Sequence, residues 1–133
     1  MPNYKDQIVA GVIMDKNKVL IARRIKGDED ELLWEFPGGE VEKGESFQDG
    51  LQRELEEELG LRGKIKEKIC ELESNERVFH FYHVIPETEL NKLNSHLDVK
   101  WVNVHQLTNF RFCKPDQEVL PKIITYCKEV KRC

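Results

Sequence analysis

A chain of 133 residues, 39% hydrophobic and 35% charged, with a formal net charge of -4, has the length of one ordinary domain and enough apolar content for a single core. That balance excludes both a compositionally disordered chain and a general nucleic-acid coat. The longest apolar run, Ile8 to Met14, is far short of the ~20 residues of a membrane span, and no signal-peptide pattern opens the chain. The expectation is one soluble, cytoplasmic domain over residues 1–133, with no membrane partner, as a monomer or homodimer.

Gln7 to Met14 and Val19 to Ala22, separated by Asp15-Lys16-Asn17-Lys18, read as a hairpin of two strands. Lys26 to Glu31 reads as a polar loop. Trp34-Glu35-Phe36 then runs as a short extended piece into Pro37-Gly38-Gly39, where paired glycines permit a close backbone approach. Ser46 is a candidate N-cap, with Asp49 three residues on, and Gly60 stands where a left-handed residue would end a helix, so a helix is predicted over Phe47 to Leu59. Lys64 to Glu71, Val78 to Ile85 and Val99 to Val104 read as strands. A last helix is predicted over Asp116 to Val130, with Pro121 in its first turn or kinking it. Strands on both sides of a central helix and a helix at the end predict an α/β fold, a mixed sheet packed between helices.

Cys70, Cys113, Cys127 and Cys133 are scattered, without C-x-x-C pairs or histidines at zinc spacing, and read as reduced structural thiols. His80 and His83 fall on opposite faces of their strand and cannot form one imidazole site there. Trp34 and Phe79 read as core aromatics before base-stacking ones.

Phe47, Leu51, Leu55 and Leu59 make an apolar stripe on the first helix. At about 100° per residue, Glu58 lies at roughly 20° from Phe47, Glu54 at roughly 340° and Glu57 at roughly 280°, whereas Glu56 lies near 180°. Three carboxylates bordering a buried stripe are costly unless a positive partner stronger than Arg53 joins them. A divalent cation supplies that charge, and Mg²⁺ prefers such oxygen ligands. The plain alternative is a solvated acidic face on which Arg53 pairs with Glu57.

Gly39, Glu45, Arg53-Glu54-Leu55, Glu57-Glu58 and Gly60-Leu61 fill every fixed position of the signature G-x5-E-x7-R-E-U-x-E-E-x-G-U, where U is a bulky aliphatic. The chain therefore resembles the Nudix hydrolases, and Trp34-Glu35-Phe36-Pro37-Gly38-Gly39 looks like the MutT-type members that cleave nucleoside triphosphates. The resemblance implies a Nudix-type α/β/α sandwich with a mixed β-sheet packed between helices. It implies Mg²⁺, with Mn²⁺ as the alternative, held by Glu54, Glu57, Glu58 and the carbonyl of Gly38. Glu54, or else Glu58, would accept the water proton, while Arg53 orients a glutamate, Glu45 buttresses Arg53, and Gly39 supports the loop.

Of Arg23 and Arg24, strand alternation turns one inward, and the resemblance favours Arg24 as the phosphate or base contact. Asp116 falls where MutT-type enzymes place a base-reading side chain. An ionised aspartate only accepts hydrogen bonds, which favours an amino-bearing base; its alternative role is capping the last helix. Two positions depart from the pattern: Glu40 replaces a common lysine, and Lys100 stands where some members carry a metal-binding glutamate, for which Asp98 is a weaker substitute. The implied activity is hydrolysis of nucleoside triphosphates, modified or oxidised deoxynucleotides or CTP and dCTP, to monophosphate and pyrophosphate, as in nucleotide pool sanitation. The alternatives are hydrolysis of ADP-ribose or another nucleoside diphosphate derivative, or noncatalytic nucleotide sensing. The expected partner is a small nucleotide, with no stable nucleic-acid complex.

Overall fold

The computed structural model describes residues 6–24, 33–91 and 97–131; the loop predicted over Lys26 to Glu31 and Cys133 lie outside them. In chain order the elements are β1 (Asp6–Asp15), β2 (Lys18–Arg24), β3 (Trp34–Glu35), β4 (Gly38–Glu40), α1 (Phe47–Leu59), β5 (Gly63–Ser74), β6 (Arg77–Pro86), β7 (Leu97–Asn103), a 3₁₀ segment (Val104–Asn109) and α2 (Lys114–Lys131). β1 pairs in parallel with β6, whereas β5–β6, β1–β2, β1–β4, β2–β3 and β2–β7 are antiparallel. The sheet is mixed, as the sequence implies.

Alternation along β1 creates both faces of the sheet. Val9 and Ile13 join Leu20, Leu51, Leu55, Leu59 and Tyr82 in one buried cluster. Ala10, Val12 and Met14 join Phe36, Phe81, Val119, Leu120 and Ile123 in the other. The sheet thus lies between α1 and α2, an α/β/α sandwich. No helix of the described residues is long and apolar enough to cross a membrane.

The bounds of α1 follow from its caps. The Ser46 hydroxyl accepts from the Asp49 N–H at 3.0 Å, and Gly60 at φ 60° lets its own N–H reach the free carbonyl of Glu56. α2 begins earlier than predicted, at Lys114, because Pro115 fits a first turn, where its missing N–H costs nothing. Pro121 is therefore inside the helix and not in its first turn. Val104, predicted as the end of a strand, opens the 3₁₀ segment instead.

His80 and His83 do face opposite sides. His80 packs on Phe47 of α1, with ring centroids 4.3 Å apart, and bonds Gln7 at 2.6 Å. His83 bonds the Tyr126 hydroxyl of α2 at 2.7 Å. Both fasten helices to the sheet. Cys70 and Cys127 are free thiols, and Cys127 is buried.

Candidate active site

The sheet, the glycine loop, α1 and the start of α2 frame a cleft of about 580 Å³ lined in part by Arg24, Glu35, Gly38, Gly39, Glu58, Arg77 and Asp116. Pairing of β4 with β1, Gly39 opposite Val9 and Gly38 opposite Ala10, fixes the glycine loop along the cleft. α1 then lays its acidic border against that loop. A Cβ on Gly39 would collide with the Glu54 carboxylate, so glycine is what lets this carboxylate sit against the strand.

The glutamates of α1 are not equivalent. Glu58 lines the cleft, and burial, helped by the negative charges of Glu54 and Glu35, pushes its carboxyl up to about 8. Glu54 keeps 16% of its side-chain surface exposed; burial pushes its carboxyl up, against the pull of Arg53. Glu57 is 57% exposed and pairs with Arg53 at 3.2 Å. Glu56 faces solvent, as its helical angle predicts.

Arg53 ties the loop to the helix. Its Nε and Nη2 donate to the two oxygens of Glu45 at 2.8 and 3.1 Å, its Nη1 to Glu54 at 3.3 Å and Glu57 at 3.2 Å, and its Nη2 to the Glu40 carbonyl at 3.1 Å. The two-pronged bond to Glu45, more than any other contact, raises the proton affinity of the guanidinium above its ordinary value. Glu45 in turn accepts from the Glu42 N–H at 2.9 Å and is held as an anion by Arg53. Glu45 therefore buttresses the loop and Arg53.

Of the paired arginines, Arg24 lines the cleft and Arg23 does not; Arg23 bonds Asp98 at 3.0 Å instead. Asp98 is held by Arg23 and is not part of the cleft lining. Lys100 lies 5.5 Å over the Phe110 ring. Asp116 is only 7% exposed, and its Oδ1 accepts from the Phe36 N–H at 3.3 Å. Burial first, and Glu35 second, push this carboxyl up to about 8. A carboxyl raised in this way holds a proton more readily than the ionised aspartate that the sequence suggests, and in that form it can donate as well as accept.

Two cleft residues escaped the sequence reading. Glu35 stands between Trp34 and Phe36, both buried, so alternation turns it away from them, a signal that was present. Arg77 enters through the register of β6 on β1, opposite Asp6, and no local pattern announces it. Trp34 is a core residue, whereas Phe79 reaches the cleft.

Among the described residues no three His, Cys, Asp or Glu side chains form a ready-made metal cluster. The donors nevertheless suit a hard divalent ion: carboxylates and a glycine carbonyl, with Glu58 raised by burial and by the negative charges of Glu54 and Glu35.

The sequence pattern of the NUDIX domain matches residues 5–123. This chain belongs to the Nudix family. It is 30% identical over 118 residues to the CTP pyrophosphohydrolase of Escherichia coli, covering 86% of this chain and 87% of that protein. It is 31% identical over 122 residues to the 8-oxo-dGTP diphosphatase of Buchnera aphidicola, covering 85% and 88%. A solved structure of MutT, from work on Aliivibrio salmonicida and Vibrio cholerae, superimposes with a TM-score of 0.81 at 30% identity, over 91% of this chain and 98% of the other. The Nudix fold is the sandwich described above.

Proposed function

We propose that this Nudix chain is a divalent-metal-dependent pyrophosphohydrolase that cleaves a nucleoside triphosphate to the monophosphate and pyrophosphate. The observation that carries the reading is one cleft holding Glu58, the Gly38–Gly39 loop, two arginines and the buried carboxyl of Asp116. Carboxylates alone would repel a polyphosphate; the same cleft with cations can seat one. The E. coli and Buchnera relatives, named for CTP and 8-oxo-dGTP, support a nucleoside triphosphate over a dinucleotide-like diphosphate.

Glu54, Glu57, Glu58 and the Gly38 carbonyl would hold the ion, Mg²⁺ first and Mn²⁺ as the alternative. Bound there, it supplies neutralising charge for the phosphates and lowers the pKa of water. Arg24 and Arg77 draw the phosphates into the cleft. Arg53 keeps Glu54 and Glu57 oriented, and Glu45 holds Arg53. Glu54 accepts a proton from the attacking water as the water oxygen bonds to one of the two bridged phosphorus atoms and that atom's bond to the α–β bridging oxygen breaks, which leaves the nucleoside monophosphate and pyrophosphate. Asp116, carrying its proton, accepts from an exocyclic amine and donates to a neighbouring ring nitrogen, which cytosine offers side by side.

The test is a panel of normal, 5-substituted and 8-oxo nucleoside triphosphates plus ADP-ribose, with Mg²⁺, comparing kcat/KM. Preference for amino-bearing bases, reduced in Asp116→Ala, supports the reading. Turnover of ADP-ribose alone would overturn the substrate class, and binding without turnover of any substrate would make the protein a sensor.

A further inference from the structure

We infer that Arg23, which faces away from the cleft, is a positioning residue that seats the base-reading wall of the site through Trp34. The inference rests on the proposed base pocket. Its starting point is a register: Arg23 lies directly across from Trp34 on β3 and from Asp98 on β7. Three neighbouring strands thus present an acid, a guanidinium and an indole in one row.

The contacts match the register. Asp98 accepts from Arg23 Nε at 3.0 Å, and the guanidinium carbon lies 4.7 Å from the centre of the Trp34 ring. A flat cation bonded at one edge and laid on an indole face is held in two directions, which a lysine ammonium cannot reproduce. Both charged groups are part-exposed, so the ion pair itself contributes little to stability. The arrangement restricts the indole more than it stabilises the fold.

Trp34 is the hinge of the wall. Its N–H donates to the Arg111 carbonyl and its carbonyl accepts from the Cys113 N–H, both at 2.8 Å, clamping the segment that enters α2. Its ring packs edge-on against Phe110 at 5.7 Å. Glu35 and Phe36 follow it directly, and the Phe36 N–H holds the Asp116 carboxyl. A shift of Trp34 therefore moves both the strand that carries Glu35 and the start of the helix that carries Asp116. The Glu54, Glu57 and Glu58 side chains belong to α1, and of the groups that Trp34 carries only Glu35 reaches them, through its charge beside Glu58. Arg23 accordingly acts first on how well the base is read, and reaches the phosphate chemistry only weakly, through the charge of Glu35.

The experiment compares kcat and KM of wild type, Arg23→Met, Arg23→Lys, Asp98→Asn and Asp116→Ala on the best and worst triphosphates of the panel. In Arg23→Met, KM for the best base rises about 3- to 10-fold, the weight of one partly buried cation–π contact, while kcat stays within about twofold. The preference between bases shrinks correspondingly. Arg23→Lys recovers part of the loss, and Trp34 fluorescence, read in a Trp101→Phe background, shifts in Arg23→Met but not in Asp116→Ala. Unchanged base preference in Arg23→Met, beside a changed one in Asp116→Ala, overturns the role of Arg23 and leaves the base pocket standing. A fall in kcat at constant KM also overturns it. If neither variant alters base preference, the base pocket itself is wrong and the inference falls with it.

Discussion

Glu58 sits half-buried beside Glu54 and Glu35, and burial followed by those charges pushes its carboxyl up to about 8. A cation that takes this site must displace the carboxyl proton, so metal affinity should rise about tenfold per pH unit below 8 and level off above it. Calorimetric titration with Mn²⁺ at several pH values measures this slope; Glu58→Gln should flatten it, and a pH-independent affinity in wild type would refute the assignment. Arg53 cannot be exchanged for lysine, because one ammonium cannot grip both oxygens of Glu45 while reaching Glu54 and Glu57. Arg53→Lys should cost about 10- to 100-fold in metal affinity or activity, the usual toll of losing an orienting partner. Asp116 binds its proton more tightly when folded than when unfolded. Its contribution to stability is therefore complete at pH below the ordinary aspartate value of 3.8 and is lost as pH rises to about 8. Asp116→Asn, which does not titrate, should gain Tm relative to wild type between pH 5 and 8; a constant difference across that range would show that the carboxyl is not perturbed.

At the scale of elements, α1 was readable because both of its ends are written in single residues. Ser46 and Gly60 fix its limits, and the four-residue spacing of Leu51, Leu55 and Leu59 fixes its buried face. Leu55 is fully buried at the centre of that face, so Leu55→Ala should cost about 2–5 kcal/mol, and Ser46→Ala about 1 kcal/mol, both measurable by urea denaturation. A larger loss from the cap than from the core would contradict the packing described. The start of α2 was less readable, since Asp116 resembles a cap while Pro115 is equally suited to a first turn. Its side chain instead reaches the cleft, and only the packing of Phe36 beside it reveals why the carboxyl is buried. Glu57 borders the stripe by angle, yet its side chain stays exposed and reaches Arg53 one turn back at 3.2 Å.

For the whole molecule, the sequence carried the sandwich and the acidic end of the cleft, because those depend on local period, caps and a dense motif. It did not carry Arg77, the pairing of Asp98 with Arg23, or the proton on Asp116. Each of these arises from strand registers or burial across distant segments: β6 on β1, β7 on β2, and α2 against β3. In the proposed reading the single cleft draws on both helices, α1 for the carboxylates that meet the phosphates and α2 for the group that meets the base. The proposed reaction cuts the nucleotide at its α–β bridge. The most direct test is the phosphorus NMR spectrum of products after CTP turnover with Mg²⁺. Equal amounts of CMP and pyrophosphate, absent in Glu58→Gln, are the predicted result. Release of CDP and inorganic phosphate would show that the cleft holds the triphosphate in another register and would contradict the account.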